Sequence, residues 1–184
     1  MNTTSPTIQS FSQELKSATG IDINHCYQCG KCSAGCPMSL EMDYPPSMIL
    51  RLLQTEDPGL ISRAVKSYSI WLCLSCETCL CRCPMEIETA KVMDFLRHKA
   101  LKTRQVNPRA RKIVAFHKAF LTTLKRHGKL YELGMTLNYK LRSRDSLQDM
   151  VLAPGMFLRG KLGIFPERIK NRKQLKNIVI KTSK

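Results

Sequence analysis

Cys26-Tyr27-Gln28-Cys29-Gly30-Lys31-Cys32-Ser33-Ala34-Gly35-Cys36-Pro37-Met38 is answered 47 residues further on by Cys73-Leu74-Ser75-Cys76-Glu77-Thr78-Cys79-Leu80-Cys81-Arg82-Cys83-Pro84-Met85. Both stretches read Cys-x2-Cys-x2-Cys-x3-Cys-Pro, and the match extends past the sulfurs into Pro-Met, so the chain carries an internal repeat. Eight of the nine cysteines fall into these two sets, and Cys81 is left over. Thiols at such short, regular spacing are ligands or redox centres when the compartment is reducing, rather than crosslinks, and the odd count agrees.

Working outward, the 184 residues suffice for one compact domain with appendages but hardly for two independent cores. A hydrophobic fraction of 43% and a charged fraction of 24% exclude a low-complexity or disordered chain. Met1 to Leu15 contain neither a basic residue nor an apolar run, so no secretory signal is expected. The best apolar stretch, Ser67 to Cys76, has polar members and falls well short of the ~18 residues of a membrane span. A cytoplasmic protein is the resulting expectation.

Charge divides the chain unevenly. Residues 1 to 95 carry seven Lys or Arg against ten Asp or Glu, whereas residues 96 to 184 carry 23 against four, within a total of +16. All nine cysteines lie in the acidic part. A basic surface attracts acidic proteins, nucleic acid or anionic lipid, and net charge does not choose among them.

Local signals are helical. Ser5 before Pro6 predicts the start of a helix that Gly20 ends, and Asp57 before Pro58 predicts another between the loops. Met48, Ile49, Leu52 and Leu53 form an apolar stripe at helical spacing, as do Val92, Met93, Leu96 and Ala100. Asn107-Pro108 opens a further helix carrying Ile113, Phe116, Phe120 and Leu124 to Gly128, and Leu130 to Leu141 can fold back on it as a hairpin. Only Asn177 to Ile180 is β-prone. The predicted fold is mainly α: an N-terminal helical arm over 1–19, a cysteine-bearing domain over 20–105, a helical hairpin over 106–145 and an irregular basic tail over 146–184. The tail scatters Met156, Phe157, Leu158 and Phe165 among many cations, which suits docking onto a partner and equally packing back on the chain's own helices.

The cysteine spacing resembles that of bacterial ferredoxin loops, in which three closely spaced thiolates hold one [4Fe-4S] cube and the fourth cysteine serves the other cluster. That resemblance implies two [4Fe-4S] clusters, one on Cys26, Cys29, Cys32 and Cys83 and the other on Cys73, Cys76, Cys79 and Cys36. Zinc is the competing assignment, but it needs only two Cys-x2-Cys pairs and leaves the third cysteine of each triplet unexplained. Cys81 fits neither step of the spacing and His25 is surplus to eight thiolates, so neither is assigned as a ligand. Tyr27, Tyr68 and Trp71 are expected to shield the clusters. Two loaded clusters leave a formal charge of about +12, because the ligands bind deprotonated.

The paired loops, the helical frame and the basic tail around Leu158 to Arg172 resemble the C subunit of heterodisulfide reductase and its bacterial homologues, with an α-helical ferredoxin fold. The resemblance implies a non-catalytic relay passing single electrons through two clusters. Its partners would be a flavin-containing protein, the A subunit, and a cysteine-rich protein, the B subunit, which cleaves or forms disulfides. The chain agrees in having no adjacent Cys-Cys, no Gly-x-Gly-x-x-Gly and no P-loop. Residues 20 to 105 also resemble the iron-sulfur subunits of succinate, glycerol-3-phosphate and lactate dehydrogenase complexes. Nucleic-acid binding is not expected, since the Lys and Arg residues form no recognition motif. Peripheral membrane contact through the basic half is a third reading.

Overall fold

Ser10, in an extended conformation, accepts the Gln13 amide with its hydroxyl and starts α1 (Phe11–Thr19), the first element among the residues, 10–143, that the computed structural model describes. The helix that Gly20 ends therefore starts at Phe11, and the Ser5-Pro6 signal lies outside the described residues. The reason is a distant residue: the Glu56 carboxylate accepts the Phe11 and Ser12 amides at 2.8 and 2.9 Å, satisfying first-turn donors at that point. Gly20, at φ +77°, ends the helix and returns its N–H to the Lys16 carbonyl.

The fold is helical, and no strand occurs among the described residues. Two compact units divide the chain, residues 1–110 and 111–184. In the first, α1 is followed by a 3-10 turn (Ile23–His25), α2 (Lys31–Ala34), α3 (Pro46–Gln54), α4 (Pro58–Lys66), α5 (Ser69–Leu72), α6 (Thr78–Cys81), α7 (Thr89–Lys102) and a 3-10 turn (Pro108–Ala110). Proline at the first position opens α3 and α4, where a missing N–H costs nothing, and Asp57 caps α4 by accepting the Leu60 amide at 2.8 Å.

The core of this unit lies between the longer helices. Leu15 of α1, Ile49 and Leu53 of α3, and Val92, Met93 and Leu96 of α7 are fully buried, each contributing about 1.5–3 kcal/mol by leaving water. Met48, at the edge of the α3 stripe, is exposed, and Leu50 is buried in addition to Ile49, Leu52 and Leu53. At the α1 and α7 contact, the Phe11 and Phe95 rings meet edge to face at 5.9 Å, and Lys99 lies 4.8 Å over Phe11 while pairing with Glu14 at 2.5 Å.

The repeat in the sequence is also a repeat in the backbone. Gln28 and Gly30 have φ of +61° and +77°, and their counterparts 47 residues on, Ser75 and Glu77, have +52° and +58°. Helices α2 and α6 start immediately after these left-handed residues and occupy equivalent positions. Gly35 and its counterpart Arg82 touch, so closely that a Cβ on Gly35 would overlap the Arg82 side chain.

In the second unit, α8 (Arg111–His127) ends at Gly128, φ +77°, and α9 (Glu132–Ser143) follows. Phe116 meets Tyr139 edge to face at 6.0 Å, and His127 meets Tyr131 at 5.7 Å. The buried positions of α8 are Val114, Ala115, Ala119 and Thr123, so the larger stripe of Ile113, Phe116, Phe120 and Leu124 is half-buried, with Phe116 exposed. The β-prone Asn177 to Ile180 and the basic tail over 146–184 lie outside the described residues. None of the described helices is long and apolar enough to cross a membrane.

Candidate metal centre

None of the nine cysteines is in a disulfide. Cys36, from the first repeat, lines one cavity together with Cys73, Cys76 and Cys79 of the second, and Met42, Ala90 and Met93 form apolar walls there. The Tyr27 phenol is pushed above its ordinary value by desolvation and then by the sulfurs of Cys29, Cys83 and Cys26. Cys26 in turn acts electrostatically on Cys32, and Cys73 on Cys79.

Burial sets the character of the thiols. It pushes Cys32 and Cys79 up, against hydrogen bonds involving Ser33 at the first and Thr89 at the second. Cys76, near the surface, is held down by its hydrogen bonds with Thr78, the side chains lying 3.4 Å apart. Further donors reach sulfur: the Ile87 amide approaches the Cys83 Sγ at 3.4 Å and the Gln28 Nε2 approaches the Cys26 Sγ at 3.5 Å. The Thr78 hydrogen bonds favour the thiolate at Cys76, the form in which cysteine binds metal, and metal loading releases the protons that the raised thiols retain.

Side chains from elsewhere in the unit hold each loop at its first cysteine. Gln54, at the end of α3, donates from Nε2 to the carbonyls of Ile23 and Cys26, both at 2.8 Å, and its Oε1 accepts from Gln28 at 2.9 Å. Arg97, on α7, donates from Nε to the Ile70 carbonyl and from Nη2 to the Cys73 carbonyl, while Nη1 pairs with Asp94 at 2.7 Å. Asp43 caps α5, accepting the Tyr68 and Ser69 amides at 2.8 Å and the Ser69 hydroxyl. Ser33 and Ser47 hydroxyls, 2.7 Å apart, join α2 to α3.

Gln54, Arg97 and Asp43 carry no motif, and the sequence reading does not single them out. Arg97 alone had a legible signal, a cation between Met93 and Ala100 on the apolar face of its helix. Of the expected shields, Tyr27 is 59% exposed and covers little. Tyr68 instead supports Arg109, whose guanidinium lies 4.3 Å from its ring, and Trp71 is partly buried against the core. Cys81 is exposed and occupies the place of Ala34, and His25 is exposed at the end of its turn.

The donor set suits a cluster better than a single ion. Zinc needs only four sulfurs at about 2.3 Å around one point, which two Cys-x2-Cys pairs supply, and leaves the third cysteine of each triplet without a role. Cys36, Cys73, Cys76 and Cys79 line one apolar cavity, and four thiolates are the donor set of a [4Fe-4S] cluster.

Comparison with known proteins agrees. Residues 22–87 match the family model described as 4Fe-4S dicluster domain. The chain is 28% identical over 106 residues to the C subunit of the H(2):CoB-CoM heterodisulfide,ferredoxin reductase of Methanothermobacter thermautotrophicus, covering 58% of this chain and 56% of that one. It is 34% identical over 82 residues to the iron-sulfur C subunit of the CoB--CoM heterodisulfide reductase of Methanopyrus kandleri, covering 45% of this chain and 41% of that one. With the iron-sulfur C 2 subunit of the CoB--CoM heterodisulfide reductase of Methanocaldococcus jannaschii it shares 28% identity over 123 residues, 66% of this chain and 63% of that one. The chain thus spans about half the length of the curated relatives it matches. It carries a 4Fe-4S dicluster domain and is a homologue of the iron-sulfur C subunits of heterodisulfide reductases.

Proposed function

We propose that this chain is the electron-relay subunit of a heterodisulfide reductase-like complex, holding two [4Fe-4S] clusters with crossed ligation. The first is held by Cys26, Cys29, Cys32 and Cys83, and the second by Cys73, Cys76, Cys79 and Cys36. The observation that supports this reading is that Cys36, the last cysteine of the first repeat, lines one cavity with Cys73, Cys76 and Cys79 of the second. When bound, each cluster supplies a site that accepts and releases one electron. The chain supplies thiolates, amide and hydroxyl donors to sulfur, and short loops with left-handed residues between successive cysteines. By the same resemblance, the partners are a flavoprotein, the A subunit, and a cysteine-rich protein, the B subunit, which bears the disulfide chemistry.

Anaerobic reconstitution tests the clusters: about eight iron and eight sulfide per chain are expected, with paramagnetic resonance signals of reduced cubanes. Crossing is tested by Cys83→Ser, which should impair the first cluster, and Cys36→Ser, which should impair the second. Loss confined to the cluster of the mutated motif would overturn the ligand assignment. Anaerobic co-purification with a flavoprotein and a cysteine-rich protein is expected for the complex, and recovery with a dehydrogenase instead would redirect it.

A further inference from the structure

The two loops are held at the same two carbonyls by different chemistry. Ile23 and Cys26 correspond through the repeat to Ile70 and Cys73. The first pair of carbonyls is held by a neutral amide, Gln54, and the second pair by a guanidinium, Arg97. These holders come from different places in the repeat, since the counterpart of Arg97 is Leu50 and that of Gln54 is Leu101. The same backbone constraint is thus met twice, once without charge and once with a cation that cannot be deprotonated in proteins.

We infer that Arg97 is a positioning residue that raises the midpoint potential of the second cluster through the Cys73 peptide, making two repeated sites electrically unequal. This rests on the two-cluster reading above. Adding one electron makes a cluster more negative, so a fixed cation nearby favours the reduced form and an uncharged amide does so less. Charge on the donor also strengthens its hydrogen bond to the carbonyl, drawing electron density from the peptide of a ligand cysteine.

Other charges oppose this effect without cancelling it. Asp94 pairs with Nη1, but its side chain is 54% exposed while that of Arg97 is 20% exposed, so solvent screens the carboxylate more. Asp43, at the start of α5, and Glu77, on the cavity wall, also add negative charge near the second site. The order of the two midpoints is the sum over all these groups, and the contribution of Arg97 to the second is upward.

The experiment is a mediated reductive titration of the full-length, reconstituted chain with dithionite, followed by paramagnetic resonance, with the two signals assigned from Cys36→Ser and Cys83→Ser. Arg97→Gln gives the second loop the uncharged holder of the first. At the wild-type midpoint its ratio of reduced to oxidised second cluster should fall about tenfold, a shift of about 59 mV for one electron, with the first cluster unmoved. Arg97→Lys, keeping the charge, should restore most of the shift. Asp94→Asn leaves the carbonyl contacts in place and removes the counter-charge, so the second midpoint should rise.

Both clusters present with unmoved midpoints in Arg97→Gln would overturn the inference, as would equal shifts of both clusters. If Arg97→Gln loses the second cluster, Gln54→Arg decides: a cation in place of the neutral holder of the first loop should raise the first midpoint, and no change there overturns the inference. Wild-type protein without clusters would remove the two-cluster reading and this inference together, whereas clusters with unresponsive potentials would remove the inference alone.

Discussion

Asp43 shows how much of the second loop hangs on one carboxylate. Burial pushes this carboxyl up, but the hydrogen bonds from the Ser69 hydroxyl and the Tyr68, Ser69 and Tyr44 amides outweigh it and hold it below its ordinary value. A group depressed in the folded state stabilises fully above its unfolded value, about 3.9 for Asp, and loses that contribution as pH falls through the lowered folded value. Asp43→Ala should therefore cost about 2 kcal/mol near neutral pH, since it removes a cap and several hydrogen bonds to a charged acceptor. The gap between wild type and variant should close below about pH 4, which thermal denaturation of both proteins across pH would check. Glu56 behaves alike at the start of α1, with burial opposed and outweighed by the Ser12 and Phe11 hydrogen bonds. Neither acid stands out in the sequence, because its partners, the adjacent Tyr44 amide aside, are 25 or more residues away.

At the scale of elements, the short helices α2 and α6 repeat each other in backbone more faithfully than in residue choice. Gly30 and Glu77 both precede their helix in the left-handed region, where a side chain costs roughly 1–2 kcal/mol. Gly30→Ala meets no atom within 4 Å, so its expected cost of about 1 kcal/mol is purely conformational. Glu77→Gly releases the same strain but gives the unfolded chain about 0.4–1 kcal/mol of extra freedom, leaving a net gain under about 1 kcal/mol. Opposite signs for the two variants in denaturation of reconstituted protein are the check. Helix ends at Gly20 and Gly128 and the cap at Asp57 were legible because they depend on residues within one turn. The start of α1 was not, because Glu56 fixes it from a different helix connection.

For the whole molecule, the sequence divides a cysteine-bearing acidic part from a basic part, and the chain folds into units of 1–110 and 111–184. We propose that residues 146–184 dock the relay onto its complex, since their apolar side chains are dispersed among cations over a segment whose sequence offers no obvious core of its own. Deleting them should leave iron and sulfide content unchanged and reduce co-purification with the partner proteins several-fold. Undiminished recovery of the complex would remove the docking role.

Spacing alone determined that two sets of four thiols recur 47 residues apart, and periodicity alone determined that the connecting segments are helical, because both are properties of neighbours along the chain. Which side chains satisfy the loop carbonyls is a different kind of question. Gln54 and Arg97 reach them across 24 to 31 residues, and only the packing of α3 and α7 brings an amide to one loop and a cation to the other. A buried carbonyl requires a donor but does not prescribe its charge, so that choice rests with whichever helix the fold places alongside.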